Sequence, residues 1–157
     1  AGSVGMHLAE HLANDGANVF ISDIDKSKLE NIENPNINPI DDAFSLECDV
    51  FSPCALGAIF NESSIKSLNC KIIAGGATNQ LQDLSIANAL HNRDIIYIPD
   101  ILINSGGAIG LTKDLMKRNE VETESDLMNI AYRVREALTE SHEKSISLQD
   151  TIRELII

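Results

Sequence analysis

A chain of 157 residues that is 43% hydrophobic and 23% charged is long enough for one buried core, and its formal charge is −12 at pH 7. That charge argues against a nucleic-acid or anionic-membrane partner, since both require a basic face. Apolar runs stay below the ~18 residues of a membrane span and no leader-like stretch precedes the first strand pattern, so a single soluble, cytoplasmic domain over residues 1–157 is expected.

The opening Ala1-Gly2-Ser3-Val4-Gly5-Met6 places two glycines three apart, with a helical pattern behind them, an apolar run at Val19-Phe20-Ile21-Ser22 and an acid at Asp23. This is the second half of a G-x-G-x-x-G dinucleotide fingerprint. The sequence starts between the first two glycine positions, so the first glycine and the strand before it are expected upstream. Gly2 lets backbone approach a pyrophosphate, and Gly5 lets the helix lie close to a strand. Unpaired N–H groups near residues 2–4 and the positive dipole end of the helix would face the phosphates. Asp23 is expected to accept from both adenosine ribose hydroxyls and to repel a 2′-phosphate, which favours NAD over NADP; Lys26 and Lys28 are the opposing signal. A tight turn before an ordinary helix is the plainer alternative.

The helix is expected over residues 3–14, with Val4, Leu8 and Leu12 on its apolar stripe and Asp15-Gly16 ending it. Residues 19–22 read as a strand, 27–32 as a short helix, and 34–39 as turn chemistry. A strand at 48–51 is stopped by Pro53. Asn61 caps a helical turn carrying Ile65 and Leu68, and a strand at 71–74 ends in Gly75-Gly76. A helix over 82–92 and a strand over 95–98, stopped by Pro99, complete the alternation. Such alternation predicts an α/β, doubly wound Rossmann-type parallel sheet with its ligand beyond the strands' carboxyl ends, after Phe51, Ala74 and Ile98. Helices at 108–117, 122–140 and 148–156 follow, the last capped by Ser147. Residues 1–118 thus form the core and 119–157 a helical tail. Without the upstream strand, the second and fourth strands lack their common neighbour, and the isolated chain is expected to be marginally stable or prone to aggregate.

Three segments stand together behind the glycine turn: residues 48–57 (CDVFSPCALG), 74–81 (AGGATNQL), and Tyr97-Ile98-Pro99-Asp100 leading to Asn104-Ser105-Gly106-Gly107-Ala108-Ile109. In this order they resemble the nucleotide-binding domain of the glutamate/leucine/phenylalanine/valine dehydrogenase family over about residues 1–118. Asn79-Gln80-Leu81 is similar to the leucine, valine and phenylalanine branch, because glutamate dehydrogenases typically carry a Gly-Pro-Thr run after the position of Asn79. The resemblance implies that residues Ala1, Gly2, Ser3, Val4, Gly5 and Met6 lie under the pyrophosphate of NAD and Asp23 on its adenosine ribose. It implies the Ala55 backbone beside the cofactor sugar and Asn79 on the nicotinamide side. Asn104 would orient the nicotinamide carboxamide or the substrate's amino-acid head. Ala108 and Leu111 would line the substrate side-chain pocket, an apolar lining suited to a hydrophobic L-amino acid.

The implied reaction is oxidative deamination to the 2-oxo acid and ammonium. Its lysine and aspartate acid–base pair belongs to an N-terminal substrate domain with a Gly-Gly-Gly-Lys-type motif, and no such motif occurs in this sequence. This chain alone is therefore expected to hold cofactor, to contain no catalytic residue and to need the missing N-terminal domain, within a homo-oligomer.

Plainer readings accompany several residues. His7-Leu8-Ala9-Glu10-His11 fits an H-x-x-E-H zinc pattern but has no evident third ligand, so no metal is expected. His91 and His142 read as surface residues, and Cys48, Cys54 and Cys70 as reduced thiols without metal spacing. Cys54 has no neighbouring base to make it a nucleophile. By spacing alone, Ala108 and Leu111 would be core. A non-catalytic NAD-sensing domain and a glutamate dehydrogenase half are the competing functions.

Overall fold

The computed structural model describes every residue except Leu56 and Ile157, with side chains for all of these but Leu155 and Ile156. It is a Rossmann-type α/β fold. The elements run α1 Ser3–Asn14, β1 Val19–Ile21, a 3-10 turn Lys26–Leu29, β2 Ile37–Pro39, β3 Glu47–Phe51, α2 Ser64–Ser67, β4 Asn69–Ile73, α3 Ser85–His91 and β5 Ile96–Tyr97. Helices α4 Asp100–Ile103, α5 Gly106–Thr112, α6 Glu120–Lys144 and α7 Leu148–Ile156 complete the chain.

All strand pairs are parallel. β1 pairs with β2 with Val19 opposite Ile37, and β3, β4 and β5 form a second sheet with Val50 opposite Ile72 and Ile72 opposite Ile96. Among the described residues β1 and β3 are not paired with each other, so the sheet order is β1-β2 and β3-β4-β5.

The main core lies between β3–β5 and α2–α3, where Phe60, Ile73, Ile86 and Leu90 are fully buried. Phe60 packs edge-on to Tyr97 at 6.4 Å and to Phe51 at 5.9 Å between ring centroids, so this end of the sheet is held by aromatic packing as well as by ladder bonds. A second cluster joins α1 to β1 and β2 through Ala9, Ala13, Ile21 and Ile37. The third, Ala137, Leu148 and Ile152, docks α7 on α6.

Several elements differ from the sequence expectation for local reasons. The buried residues of α1 are Ala9 and Ala13. Val4 and Leu12 of the expected stripe are 61% and 38% exposed. Small residues let the helix lie close on β1 and β2, and the larger ones are turned elsewhere. Residues 27–32 give only a single 3-10 turn, opened by the Asp25 carboxylate accepting from the Ser27 N–H. Ile37–Pro39, expected as turn, is strand β2; its outer position tolerates Pro39, and the Asn38 side chain donates to the Val19 carbonyl at 3.1 Å. Asp83 accepts from the Ser85 N–H at 2.9 Å, so α3 starts at Ser85 rather than 82. Helix α4 was not foreseen, α5 runs over Gly106–Thr112 rather than 108–117, and an Asn119/Glu122 capping box starts α6 at Glu120. The expected caps at Asn61 and Ser147 form: Asn61 accepts from the Ser63 and Ser64 N–H groups and Ser147 from that of Asp150.

The approach of β4 to β3 at their carboxyl ends fixes the rim. A Cβ at Gly75 would overlap the backbone of Pro53, and the Ala77 N–H donates to the Pro53 carbonyl at 2.9 Å. Gly75→Ala is therefore expected to destabilise the chain by about 3 kcal/mol or more, since backbone rather than a side chain must move. Gly110→Ala, where the added methyl meets nothing within 4 Å in α5, is expected to stabilise by about 0.5–1 kcal/mol. Urea unfolding of the two variants reads both signs, and equal effects would contradict the packing described.

Candidate functional site

The carboxyl ends of β1, β3, β4 and β5 carry the segments singled out in the sequence. Helix α1 ties them together, because its first turn touches both sheets. A Cβ at Gly5 would lie 3.2 Å from the Cys54 Cβ, and one at Gly76 would lie 2.8 Å from the Val4 side chain and 3.7 Å from the Cys54 Sγ. On the other side, Met6 packs against the Ala9, Ala13, Ile21 and Ile37 cluster of α1, β1 and β2. The glycine turn, the loop after β3 and the loop after β4 therefore meet at one place.

Gly2 is the N-cap of α1, in extended conformation with no side chain capping the helix, and the first turn contains no acid. The opening N–H groups of this 12-residue helix have no partners within the helix itself, and the dipole adds positive character there. A Cβ at Gly2 would meet nothing within 4 Å. An open space facing unsatisfied N–H donors suits an anionic diphosphate, so the residues present fit a dinucleotide. The side chains of Ala1 and Met6 take another part, packing against the Ala9, Ala13, Ile21 and Ile37 cluster.

Asp23 follows β1. Its Oδ1 accepts from the Asp25 N–H at 2.9 Å, and the Lys28 ammonium lies 3.4 Å from its Oδ2. It is therefore a fixed anion, chemically suited to accept hydrogen bonds from hydroxyls.

The turn from Gly75 to Gln80 is held from several directions. Gln80, 1% exposed, donates through its amide nitrogen to the Gly75 and Ala77 carbonyls at 3.0 and 2.8 Å. Its Oε1 is buried with no hydrogen-bond partner among the described residues. Asn104 closes α4 and donates through Nδ2 to the Gly76 and Ala77 carbonyls at 3.2 and 2.7 Å. Asp100, the first residue of α4, accepts from the Asn79 N–H at 2.7 Å. The Ala58 N–H donates to the Asn79 carbonyl at 2.6 Å, and a Cβ at Gly57 would come within 2.8 Å of the Thr78 and Asn79 carbonyl oxygens.

Asn79 on this turn and Asn104 reaching it from α4 thus meet beside Gly76 and the first turn of α1. Asn79 is exposed, with left-handed backbone at φ 51. The Asn104 amide nitrogen is already engaged with loop carbonyls, so its Oδ1 is the end left to accept from a ligand. Ala55 is exposed in the loop after β3. Ala108 is exposed and Leu111 is 84% exposed on α5, so neither is the core residue that spacing alone suggests.

Gln80, Asp100 and Gly57 received no role from the sequence. An amide between Asn79 and Leu81 and an acid directly after a strand-ending proline were the available signals, but both types are ordinary in turns and first helical turns. Among the remaining candidates, His7 Nδ1 lies 2.7 Å from the Ser3 carbonyl oxygen and Glu10 accepts from Asn34 at 3.0 Å. Cys70 is pushed up to about 11 by burial, with Cys48 beside it adding to the shift, and burial also raises Cys48. Both stay thiols at neutral pH. A depression of about 420 Å³ lined by His91, Tyr97, His142 and Ser147 opens where α3 ends and β5 begins, away from the rim.

The sequence pattern described as Glutamate/Leucine/Phenylalanine/Valine dehydrogenase matches residues 4–152. The chain is 39% identical over 121 residues to leucine dehydrogenase of Bacillus subtilis (strain 168), covering 75% of this chain and 33% of that one. It is 38% identical over 127 residues to phenylalanine dehydrogenase of Lysinibacillus sphaericus, covering 76% and 33%. The crystal structure of L-tryptophan dehydrogenase from Nostoc punctiforme superposes with a TM-score of 0.92 at 31% identity, over 99% of this chain and 48% of that one. The chain thus spans a third to about half of the length of these relatives.

Proposed function

Because the chain belongs to the glutamate/leucine/phenylalanine/valine dehydrogenase family, we propose that it is the NAD-binding part of an enzyme that oxidatively deaminates a hydrophobic L-amino acid. The observation that carries this reading is the meeting of the uncapped α1 N-terminus, the Asp23 carboxylate at the end of β1 and the turn held by Asn104 on one rim. In this reading residues 1–6 hold the diphosphate through backbone donors, Asp23 holds the adenosine ribose, Ala55 lies beside a cofactor sugar, and Asn79 and Asn104 serve the nicotinamide end. Bound there, NAD would supply the hydride acceptor.

The substrate class rests on resemblance and on lining. Relatives are named for leucine, phenylalanine and L-tryptophan, amino acids with apolar side chains, and Ala108 and Leu111 offer an apolar, exposed face on α5. An acidic side chain would find no cation on that helix face. The lysine and aspartate that move protons are assigned to a further domain, and the intact enzyme is read as a cytoplasmic homo-oligomer. A non-catalytic NAD sensor would have no use for the exposed apolar face that Ala108 and Leu111 present on the helix opened by Gly106-Gly107.

Two measurements test this. Titration of the intact protein with NADH and NADPH should favour NADH, and Asp23→Ala should weaken NADH while leaving NADPH nearly unchanged; equal affinities would remove the role given to Asp23. Assays of the intact enzyme should show turnover of leucine, valine or an aromatic amino acid exceeding that of glutamate, and the reverse order would overturn the pocket reading.

A further inference from the structure

Asn79 makes no side-chain hydrogen bond to the described residues, so its carboxamide is aimed only through its backbone. That backbone is left-handed, at φ 51, a conformation that side-chain-bearing residues rarely adopt and Asn tolerates best. Two groups hold it. The Ala58 N–H grips the Asn79 carbonyl from the β3 side, and the Asp100 carboxylate grips the Asn79 N–H from α4 at 2.7 Å. The second bond is short and charge-assisted, the stronger class of hydrogen bond.

Asp100 and Asn104 stand four residues apart on α4 and so share one face. That face is turned to the loop, with Asp100 on Asn79 and Asn104 on Gly76 and Ala77. An acid in the first turn of a helix has an ordinary use, offsetting the dipole. Here the helix is a single four-residue turn, and the carboxylate reaches an N–H 21 residues away.

We infer that Asp100 is a positioning residue for the nicotinamide end of the cofactor site, acting through Asn79 rather than touching the cofactor. The inference rests on the cofactor reading above and adds to it the residue that sets the direction of the Asn79 carboxamide. It makes a distinction that general damage to the fold would not. Loss of Asp100 should affect binding of the nicotinamide-bearing cofactor and spare the part bound at the α1 end.

The experiment measures affinity of the intact protein for NADH and for ADP-ribose, which lacks the nicotinamide. Asp100→Ala is expected to weaken NADH by about tenfold or more, as for loss of a hydrogen bond to a charged group, with ADP-ribose unchanged. Asp100→Asn keeps an acceptor oxygen and should restore most of the NADH affinity. Asn79→Ala should reproduce the Asp100→Ala pattern, and the double variant should lose no more than either single one. Unchanged NADH affinity in Asp100→Ala, equal loss of both ligands, or additive losses in the double variant would overturn the inference. If the unsubstituted protein binds neither ligand, the cofactor reading falls first, and the inference with it.

Discussion

The chain's crossing at the carboxyl ends of β3 and β4 leaves no room for a side chain, and the rest of the rim follows from that restriction. A Cβ at Gly75 would overlap Pro53, and one at Gly76 or Gly57 would press on Val4 or on the Thr78 and Asn79 carbonyls. Backbone brought this close presents several carbonyls in one direction, and an unpaired carbonyl in such a place costs free energy. Gln80 and Asn104 satisfy three of them from below and from α4. The polar side chains of this region therefore first serve the fold. In the proposed reading, the Asn79 carboxamide and Asn104 Oδ1 are the groups that remain for a ligand.

The electrostatics divide along the same rim. With a net charge of −12 over these 157 residues, the proposed anionic cofactor would be held by local donors rather than by the overall field. The first turn of α1 supplies such donors without a cationic side chain, and its N-cap has no side chain to compete with a phosphate. At the other extreme, the Asp23 carboxylate, oriented by the Asp25 N–H and the Lys28 ammonium, suits hydroxyls and opposes a second phosphate. Selection for one dinucleotide over the other would then come from a single carboxylate and its immediate neighbours.

Much of this was legible in the sequence because the features involved are local. Two glycines three apart with a helical pattern behind them require only neighbouring residues to be understood, and α1 spans Ser3–Asn14 as spacing predicts. Caps at Asn61 and Ser147 are equally local. Strand β2 was missed because Asn and Pro signal a turn by composition, and the β1 partner that makes residues 37–39 a strand lies 18 residues earlier. The stripe of α1 was misassigned for a related reason: periodicity identifies a face, whereas which face is buried depends on the sheet it meets, and Ala9 and Ala13 allow the nearest approach. Asp100 and Gln80 were on the page as letters without a function, since their partners, Asn79 N–H and the carbonyls of Gly75 and Ala77, exist as targets only after the loop has folded.

The central claim is that the α1 N-terminus and the turn after β4 form one binding edge for a dinucleotide. Titrating the isotope-labelled chain with NADH and following its amide resonances tests this directly. Perturbation of the Ser3, Val4, Gly5 and Gly76 amides together with the side-chain amides of Asn79 and Asn104 is expected. Perturbation confined to the opposite end of β5, around His91, Asp94 and His142, would contradict it.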